Sequence, residues 1–318
     1  MEIANGIECL SKYLRGGAVS LGKFDGLHLG HSRILTRVKE QAERRGIPSI
    51  CLTFDPPPAT LLSSHPVQPL CTLERKIELI REFELDGLVV IPTTLEFLHQ
   101  SAETFFFDTL VESLRVKIIV EGENFSFGHN RDGNAEAMRC LGERAGIDID
   151  PVESVRIDGR VVSSSEIRRQ LMAGNVCGAN AMLTKPYRLS GTVVHGEHRG
   201  RTLGFPTANL DNVGTIIPKP GIYATSVQYE DNRFLAATHV GANPTFGEKV
   251  LKIEVFLLDF SGDLYGKTLH VDFLDYLREI VRFESVDQLL RQMEHDIRRV
   301  GTFRRYSGAD DTQRRSTG

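Results

Sequence analysis

The sequence predicts a two-domain chain: a parallel α/β domain followed by a small antiparallel β-barrel with a C-terminal helix. Three observations carry that expectation. Up to about residue 184, short apolar strands alternate with amphipathic helices, and buried strands of this kind belong to a parallel sheet covered on both faces. Past Lys185-Pro186 the pattern changes to β-rich runs separated by Gly, Asn and Asp, with no helices between them, which suits a small barrel. Between the apolar run at 18–21 and an amphipathic segment stands Gly22-Lys23-Phe24-Asp25-Gly26-Leu27-His28-Leu29-Gly30-His31. A strand, a glycine-rich turn and a helix start in that order offer backbone N–H groups and a helix N-terminal dipole to an anion.

After that loop, Ile34, Leu35, Val38 and Ala42 recur at helical spacing and Gly46 is placed to cap the helix. Residues 49–54 read as the second strand, ended by Pro56-Pro57-Pro58. Residues 73–83 have a helical period, 87–91 form a wholly apolar strand, 102–114 read as a helix and 117–120 as the next strand. Ligands of such sheets sit at the carboxyl ends of strands. Both 22–31 and Gly122-Glu123-Asn124-Phe125-Ser126-Phe127-Gly128 follow predicted strands. Ser163-Ser164-Ser165-Glu166-Ile167-Arg168 opens a helix running to about 173. In the second half, 187–195, 221–228, 234–240, 252–258 and 268–274 read as strands, with Glu230-Asp231-Asn232 turning one hairpin. The helix 286–299 closes the domain, and 307–318 is polar, aperiodic and expected to be disordered. The boundary falls near 184, giving domains 1–184 and 185–306.

Composition narrows the classes. The 318 residues carry a formal charge of -4, with 41% hydrophobic and 25% charged residues. That balance suits a globular protein and gives no support to a nucleic-acid or anionic-membrane binder. A small anion needs only a local patch. The five cysteines, Cys9, Cys51, Cys71, Cys140 and Cys177, are odd in number and show no C-x-x-C spacing, so they read as reduced thiols of a cytoplasmic protein. No basic n-region precedes an apolar one at the N-terminus, and no apolar run approaches the ~20 residues of a membrane span.

Each chemical motif has a plainer alternative. If a helix starts near His28, the three-residue spacing puts His28 and His31 on one face of its first turn, as two cations for one phosphate, and Gly30 lets that phosphate approach the backbone. A surface histidine pair fits the string equally well; zinc fits poorly, since no Glu, Cys or third His follows at ligand spacing. Gly22, Phe24, Asp25 and Gly26 shape the preceding loop. Ser164, Ser165 and Arg168 read as a helix cap or as a second phosphate clamp. In Gly200-Arg201-Thr202-Leu203-Gly204-Phe205-Pro206-Thr207-Ala208-Asn209, Gly200 frees the backbone and Arg201 can meet phosphate. Thr207 and Asn209 put two hard oxygen ligands on one face of an extended segment, which suits Mg²⁺; an ordinary Gly/Pro loop is the alternative. Glu254 lies in Ile253-Glu254-Val255-Phe256-Leu257-Leu258, apolar on both alternating faces. It is either a rim residue with a structural partner or a buried base.

Taken together, GKFDGLHLGH (22–31), GENFSFG (122–128), SSSEIR (163–168), GRTLGFPTANL (200–210), PGIYA (220–224), GANPTFG (241–247), IEVFLLDFSGDLYG (253–266) and VDFLDYLRE (271–279) resemble, in this order, the bacterial bifunctional riboflavin kinase/FMN adenylyltransferase (FAD synthetase) family. The resemblance covers roughly 16–300. It implies a Rossmann-like nucleotidyltransferase domain and a flavokinase barrel that make FMN from riboflavin and FAD from FMN, with ATP as co-substrate and Mg²⁺ as cofactor. It implies that His28 and His31 hold ATP phosphates and stabilise the α-phosphorus, that Asn124 helps bind substrate or nucleotide, and that Ser164, Ser165 and Arg168 clamp the triphosphate. In the barrel it implies Mg²⁺ ligation by Thr207 and Asn209, proton acceptance from the riboflavin 5′-hydroxyl by Glu254, and a place near flavin for Arg278. Three positions depart from the family pattern: Lys23 for a common Asn, Pro57 for a frequent His, and Asn243 for a frequent Arg, which removes a phosphate contact. A chain with one working half, and a non-catalytic flavin- or nucleotide-binding regulator, stay open as alternatives, as does self-association.

Overall fold

The computed structural model describes residues 1–62, 67–123, 125–129, 132–197, 200, 203–243, 245 and 250–306. Asn124, Arg201 and the expected tail at 307–318 lie outside the described residues. The chain divides into two compact units: Met1–Gln68 with Thr72–Ser163, and Pro69–Cys71 with everything from Ser164 onward.

The first unit contains β1 (Glu2–Asn5), β2 (Ala18–Leu21), α1 (Leu29–Arg45), β3 (Ser49–Asp55), α2 (Leu73–Arg81), β4 (Gly87–Pro92), β5 (Ile118–Gly122), α3 (Ala135–Ala145) and β6 (Asp148–Val152). These six strands form one parallel sheet in the order β1-β4-β3-β2-β5-β6. Neighbouring residues of a strand feed opposite apolar layers. Val19, Val89 and Ile119 join one cluster, while Ala18, Leu88, Val90 and Ile118 join the other. Both faces are therefore covered, as continuous apolar strands require.

Two strands escape the sequence pattern for a common reason: β1 and β6 are edge strands. Asp148-Ile149-Asp150-Pro151-Val152 carries two carboxylates and a proline, which an edge position tolerates and a central one would not. The predicted α-helix over 102–114 is instead a short α turn, Ala102–Thr104, continued by a π-helix, Phe105–Ser113. That wider winding carries three consecutive phenylalanines, of which Phe105 and Phe106 are buried.

The second unit holds α4 (Ser164–Met172), α5 (Val176–Met182), β7 (Arg188–Val194), β8 (Ala208–Asp211), β9 (Gly221–Tyr229), β10 (Asn232–Gly241), β11 (Lys252–Leu257), β12 (Thr268–Arg278) and α6 (Val286–Val300). The strands close into an antiparallel barrel, β7-β8-β11-β10-β9-β12. Residues 164–184, grouped by sequence with the first domain, make their bonds here: Asn180 Nδ2 donates to the Phe273 carbonyl at 2.8 Å and Lys219 N to the Leu171 carbonyl at 3.0 Å. Ser285 caps α6 by accepting from Gln288 N at 3.3 Å. Among the described residues no helix is long and apolar enough to cross a membrane.

Candidate active sites

In the first unit the chain leaves β2 for β3 and β4 on one side, and returns to β5 and β6 on the other. The carboxyl ends of β2 and β5 therefore flank the point where strand order reverses, the place where open α/β sheets bind ligands. Both motifs that the sequence singled out here begin at those two ends. Backbone pairing joins β2 to β5 only at Ala18–Ile118 and Val19–Ile119. Beyond it the side chain of Glu121 takes over, accepting from Ser20 Oγ at 3.3 Å and from the Leu21 N–H. Burial holds this carboxyl well above the usual carboxylate range, against the opposing effect of those two donors.

The loop that follows β2 is built from the inside. Phe24 and Leu27 hold φ of 45° and 41°, either side of Gly26 at 78°, a region that bulky residues avoid. Both side chains are in the core, at 1% and 0% exposure, so their burial opposes the backbone strain. Gly22 eases the same fold-back, since a Cβ there would crowd the Phe24 ring at 3.0 Å. Asp25 is buried in the turn.

His28 is the N-cap of α1, and its Nδ1 accepts from His31 N at 3.3 Å. The two rings stack, with centroids 3.6 Å apart, and Phe24 meets His31 edge-on at 5.1 Å. A Cβ on Gly30 would lie 3.1 Å from the His28 ring and 3.8 Å from the Val162 carbonyl, so the chain passes this loop just before entering Ser163. The expected pair of cations is corrected by burial. It lowers His28 to about 4, and it lowers His31 well below its ordinary value, with help from nearby His28 and Lys76. At neutral pH two uncharged imidazoles face the helix N-terminus, and His31 Nδ1 is buried without a partner among the described residues. Sequence reasoning missed Lys76, which is 3% exposed and donates to Thr53 Oγ1 at 3.2 Å. Its helical position looks like an ordinary surface lysine, and only the fold turns it inward.

Ser164 and Ser165 open the first turn of α4 and Arg168 follows one turn on, in the second unit. Ser165 is exposed, and Ser164 and Arg168 are half-buried.

The barrel gathers its predicted residues by register. Asn209 on β8 lies opposite Glu254 on β11, which lies opposite His239 on β10. Directly opposed residues share a face, so Asn209, Glu254 and His239 form one row across three strands. The intervening residues Ala208, Val255 and Thr238 are buried and point the other way. The row borders a cavity of about 750 Å³ that also reaches Gly200, Thr207 and Arg278. Glu254 has the partners that the rim reading expects and the cavity position that the base reading expects. Its Oε2 is 3.2 Å from His239 Nδ1 and accepts from Asn243 Nδ2 at 2.7 Å. Burial, the largest single influence, raises its pKa, but the hydrogen bonds from His239 and Asn243, together with the charge interactions of His239 and Lys252, hold it below the usual value. Asn243 thus holds the carboxylate where a phosphate contact was expected to be lost.

Thr207 and Asn209 are packed against glycine backbone. A Cβ on Gly196 would stand 2.9 Å from Asn209 Oδ1, and one on Gly200 would stand 3.4 Å from Thr207 Oγ1. Two neutral hard oxygens in a cradle of this kind fit Mg²⁺, which keeps waters and phosphate oxygens for its other positions. Arg278, expected beside flavin, lines the cavity but spends its guanidinium on buried Asp296, at 2.9 Å from Nε and 2.8 Å from Nη2.

Two family models match the chain. The family described as FAD synthetase matches residues 10–166, and the one described as riboflavin kinase matches 183–303. A bifunctional riboflavin kinase/FMN adenylyltransferase of Haemophilus influenzae is 32% identical over 305 residues, covering 95% of this chain and 99% of that protein. The Escherichia coli protein of the same description is 33% identical over 299 residues, covering 93% and 96%. Among solved structures, a protein named as a macrolide-efflux protein from Streptococcus pneumoniae superposes with a TM-score of 0.83 at 29% identity, covering 93% of this chain and 97% of its own; that name describes the other protein alone.

Proposed function

The chain belongs to the bifunctional riboflavin kinase/FMN adenylyltransferase family, and on that premise we propose how its residues divide two successive reactions. It phosphorylates riboflavin to FMN with ATP and then adenylylates FMN with a second ATP, giving FAD and pyrophosphate. By function we assign 1–184 to adenylyl transfer and 185–306 to the kinase.

The observation that carries the kinase assignment is the tethered Glu254. Oε2 is occupied by two partners, while Oε1 has no protein hydrogen bond among the described residues and is the oxygen left to act as base. Oε1 accepts the proton of the riboflavin 5′-hydroxyl, that oxygen bonds to the γ-phosphorus, and the bond from the γ-phosphorus to the bridging oxygen breaks to release ADP. Thr207 and Asn209 would hold Mg²⁺, which supplies charge neutralisation at the phosphates. Gly200 would border the nucleotide, Arg201 would meet its phosphates, and Arg278 would support the flavin side of the cavity through its pairing with Asp296.

In the first unit a phosphate oxygen of FMN attacks the α-phosphorus of ATP, and the bond to the bridging oxygen of pyrophosphate breaks. No covalent enzyme intermediate is needed. His28 and His31 act as ring N–H donors beside the α1 N-terminus, with Gly22, Phe24, Asp25 and Gly30 setting the loop, and catalysis is positioning plus preorganised electrostatics. Asn124 would assist nucleotide or substrate binding, and Ser164, Ser165 and Arg168 would hold the triphosphate and the departing pyrophosphate. The five cysteines stand as thiols outside any disulfide, which supports work in a reducing cytoplasm.

The test is a time course. Purified protein with riboflavin and MgATP should give FMN first and FAD after it by chromatography. FMN that accumulates without FAD removes the adenylyltransferase reading; FAD made from supplied FMN but not from riboflavin removes the kinase reading.

A further inference from the structure

The barrel's row contains a residue that the two-step reading does not use. His239 lies directly opposite Glu254 in the β10–β11 ladder, half-buried on the wall of the kinase cavity. Its Nδ1 is 3.2 Å from Glu254 Oε2. A carboxylate oxygen is an acceptor only, so the contact needs the ring proton on Nδ1. The other ring nitrogen, Nε2, is buried and has no partner among the described residues. All the hydrogen bonding of this imidazole is therefore directed at one atom of the base. The same face of β10 carries Leu235 and Ala237, which pack in the apolar cluster containing Val300, so the ring stands on a strand anchored by the C-terminal part of the chain.

We infer that His239 is a positioning residue of the kinase, holding Glu254 by Oε2 through Nδ1–H so that Oε1 faces the flavin hydroxyl. The inference rests on the reading of Glu254 as the kinase base. Asn243 holds the same oxygen from the loop after β10, at 2.7 Å. The two donors approach Oε2 from a strand and from a loop, which together fix the carboxylate more narrowly than either alone. A carboxylate free to rotate would spend part of its time with neither oxygen aligned, lowering turnover without weakening the binding of riboflavin or ATP.

Three substitutions at 239 separate this from a packing role. His239→Phe keeps the ring and removes the donor. His239→Asn keeps an N–H at the position of Nδ1, whereas His239→Gln carries its N–H outward to the position of Nε2. Riboflavin phosphorylation should lose about tenfold or more in kcat in the Phe variant, with KM for riboflavin and ATP within about twofold of the parent. The Asn variant should recover to within about threefold, and the Gln variant should stay as slow as Phe. Adenylylation of supplied FMN by the same full-length proteins reports folding. Unchanged kcat in the Phe variant overturns the inference. So does an equal loss in Asn and Phe, or recovery in Gln alone. If the Phe variant does not fold, the Asn–Gln contrast decides by itself. Glu254→Gln, assayed in parallel, keeps the two readings apart. Full kinase activity in that variant removes the base assignment, while its loss beside an active Phe variant removes only the role of His239. In the Glu254→Gln background, His239→Phe should cost nothing further.

Discussion

On the proposed assignment the H-x-G-H loop of the first unit and the cross-strand row of the second both serve phosphate chemistry, yet they hold their polar groups by different means. In the loop, polarity comes from a helix N-terminus and two stacked imidazoles that burial keeps uncharged. The barrel instead presents one carboxylate, held below its usual pKa despite burial by hydrogen bonds from His239 and Asn243 and by the charge interactions of His239 and Lys252. The difference follows from the task. The phosphate of FMN is already a nucleophile and needs no base, so many small, fixed dipoles suffice. A ribityl hydroxyl must lose a proton, and that requires a charged acceptor.

The sharpest way to break this comparison is Glu254→Gln. General-base loss of this kind costs about 10²- to 10⁴-fold, so FMN formation from riboflavin should nearly stop while FAD formation from supplied FMN continues at the parental rate. A kinase rate that survives would mean the barrel, like the loop, works by positioning alone. The converse test is His31→Ala, which removes one preorganised donor and should slow adenylylation about 100-fold, as measured by pyrophosphate release, with riboflavin phosphorylation unchanged. Equal slowing of both steps would mean that the two sites are not independent.

The uncharged imidazoles can be tested through stability. Burial lowers His28 to about 4 in the folded chain, against about 6.5 when unfolded. Between those values the unfolded chain binds more protons, so stability is full above about pH 6.5 and falls as the pH drops toward 4. The loss from His28 is at most about 3 kcal/mol. His28→Asn keeps a good N-cap acceptor and removes the titration. Melting temperatures of the variant should therefore fall less steeply than those of the parent between pH 6.5 and 4.5. Parallel curves would place the imidazolium of His28 in water.

What could be read from the sequence divides along the same line. The loop site is local: Gly22 through His31 are contiguous, and their spacing already implied a strand, a turn and a helix start. Thr207 and Asn209 were legible for a similar reason, since alternation alone puts them on one face. The parallel sheet and the barrel followed from periodicity, except at the edges, where Pro151 and two aspartates disguise β6. Unreadable were contacts that depend on register or inward packing. His239 and Glu254 are 15 residues apart, and nothing in the intervening loop fixes which residues of β10 and β11 face one another. Lys76 and Glu121 were hidden because a charged residue in an amphipathic or apolar run does not announce that it is buried. The charge state of the histidines was missed for the same reason, since burial is a property of the fold and not of the H-x-G-H string.

A smaller effect sharpens the comparison furthest, because it concerns redundancy. The loop site leaves His31 Nδ1 without a partner among the described residues, whereas Glu254 Oε2 has two. Asn243 supplies the shorter contact, 2.7 Å against 3.2 Å, but it stands on a loop while His239 stands on a strand. Asn243→Ala removes one donor and opens space that water from the cavity can enter to replace it. The loss should therefore be about tenfold in kinase kcat, toward the lower end for a hydrogen bond to a charged group, with adenylylation untouched. A loss as deep as that of Glu254→Gln would show that the tether is a single point, held by the loop alone. No loss at all would show that the strand-borne partner suffices, leaving Asn243 as a spectator on the cavity wall.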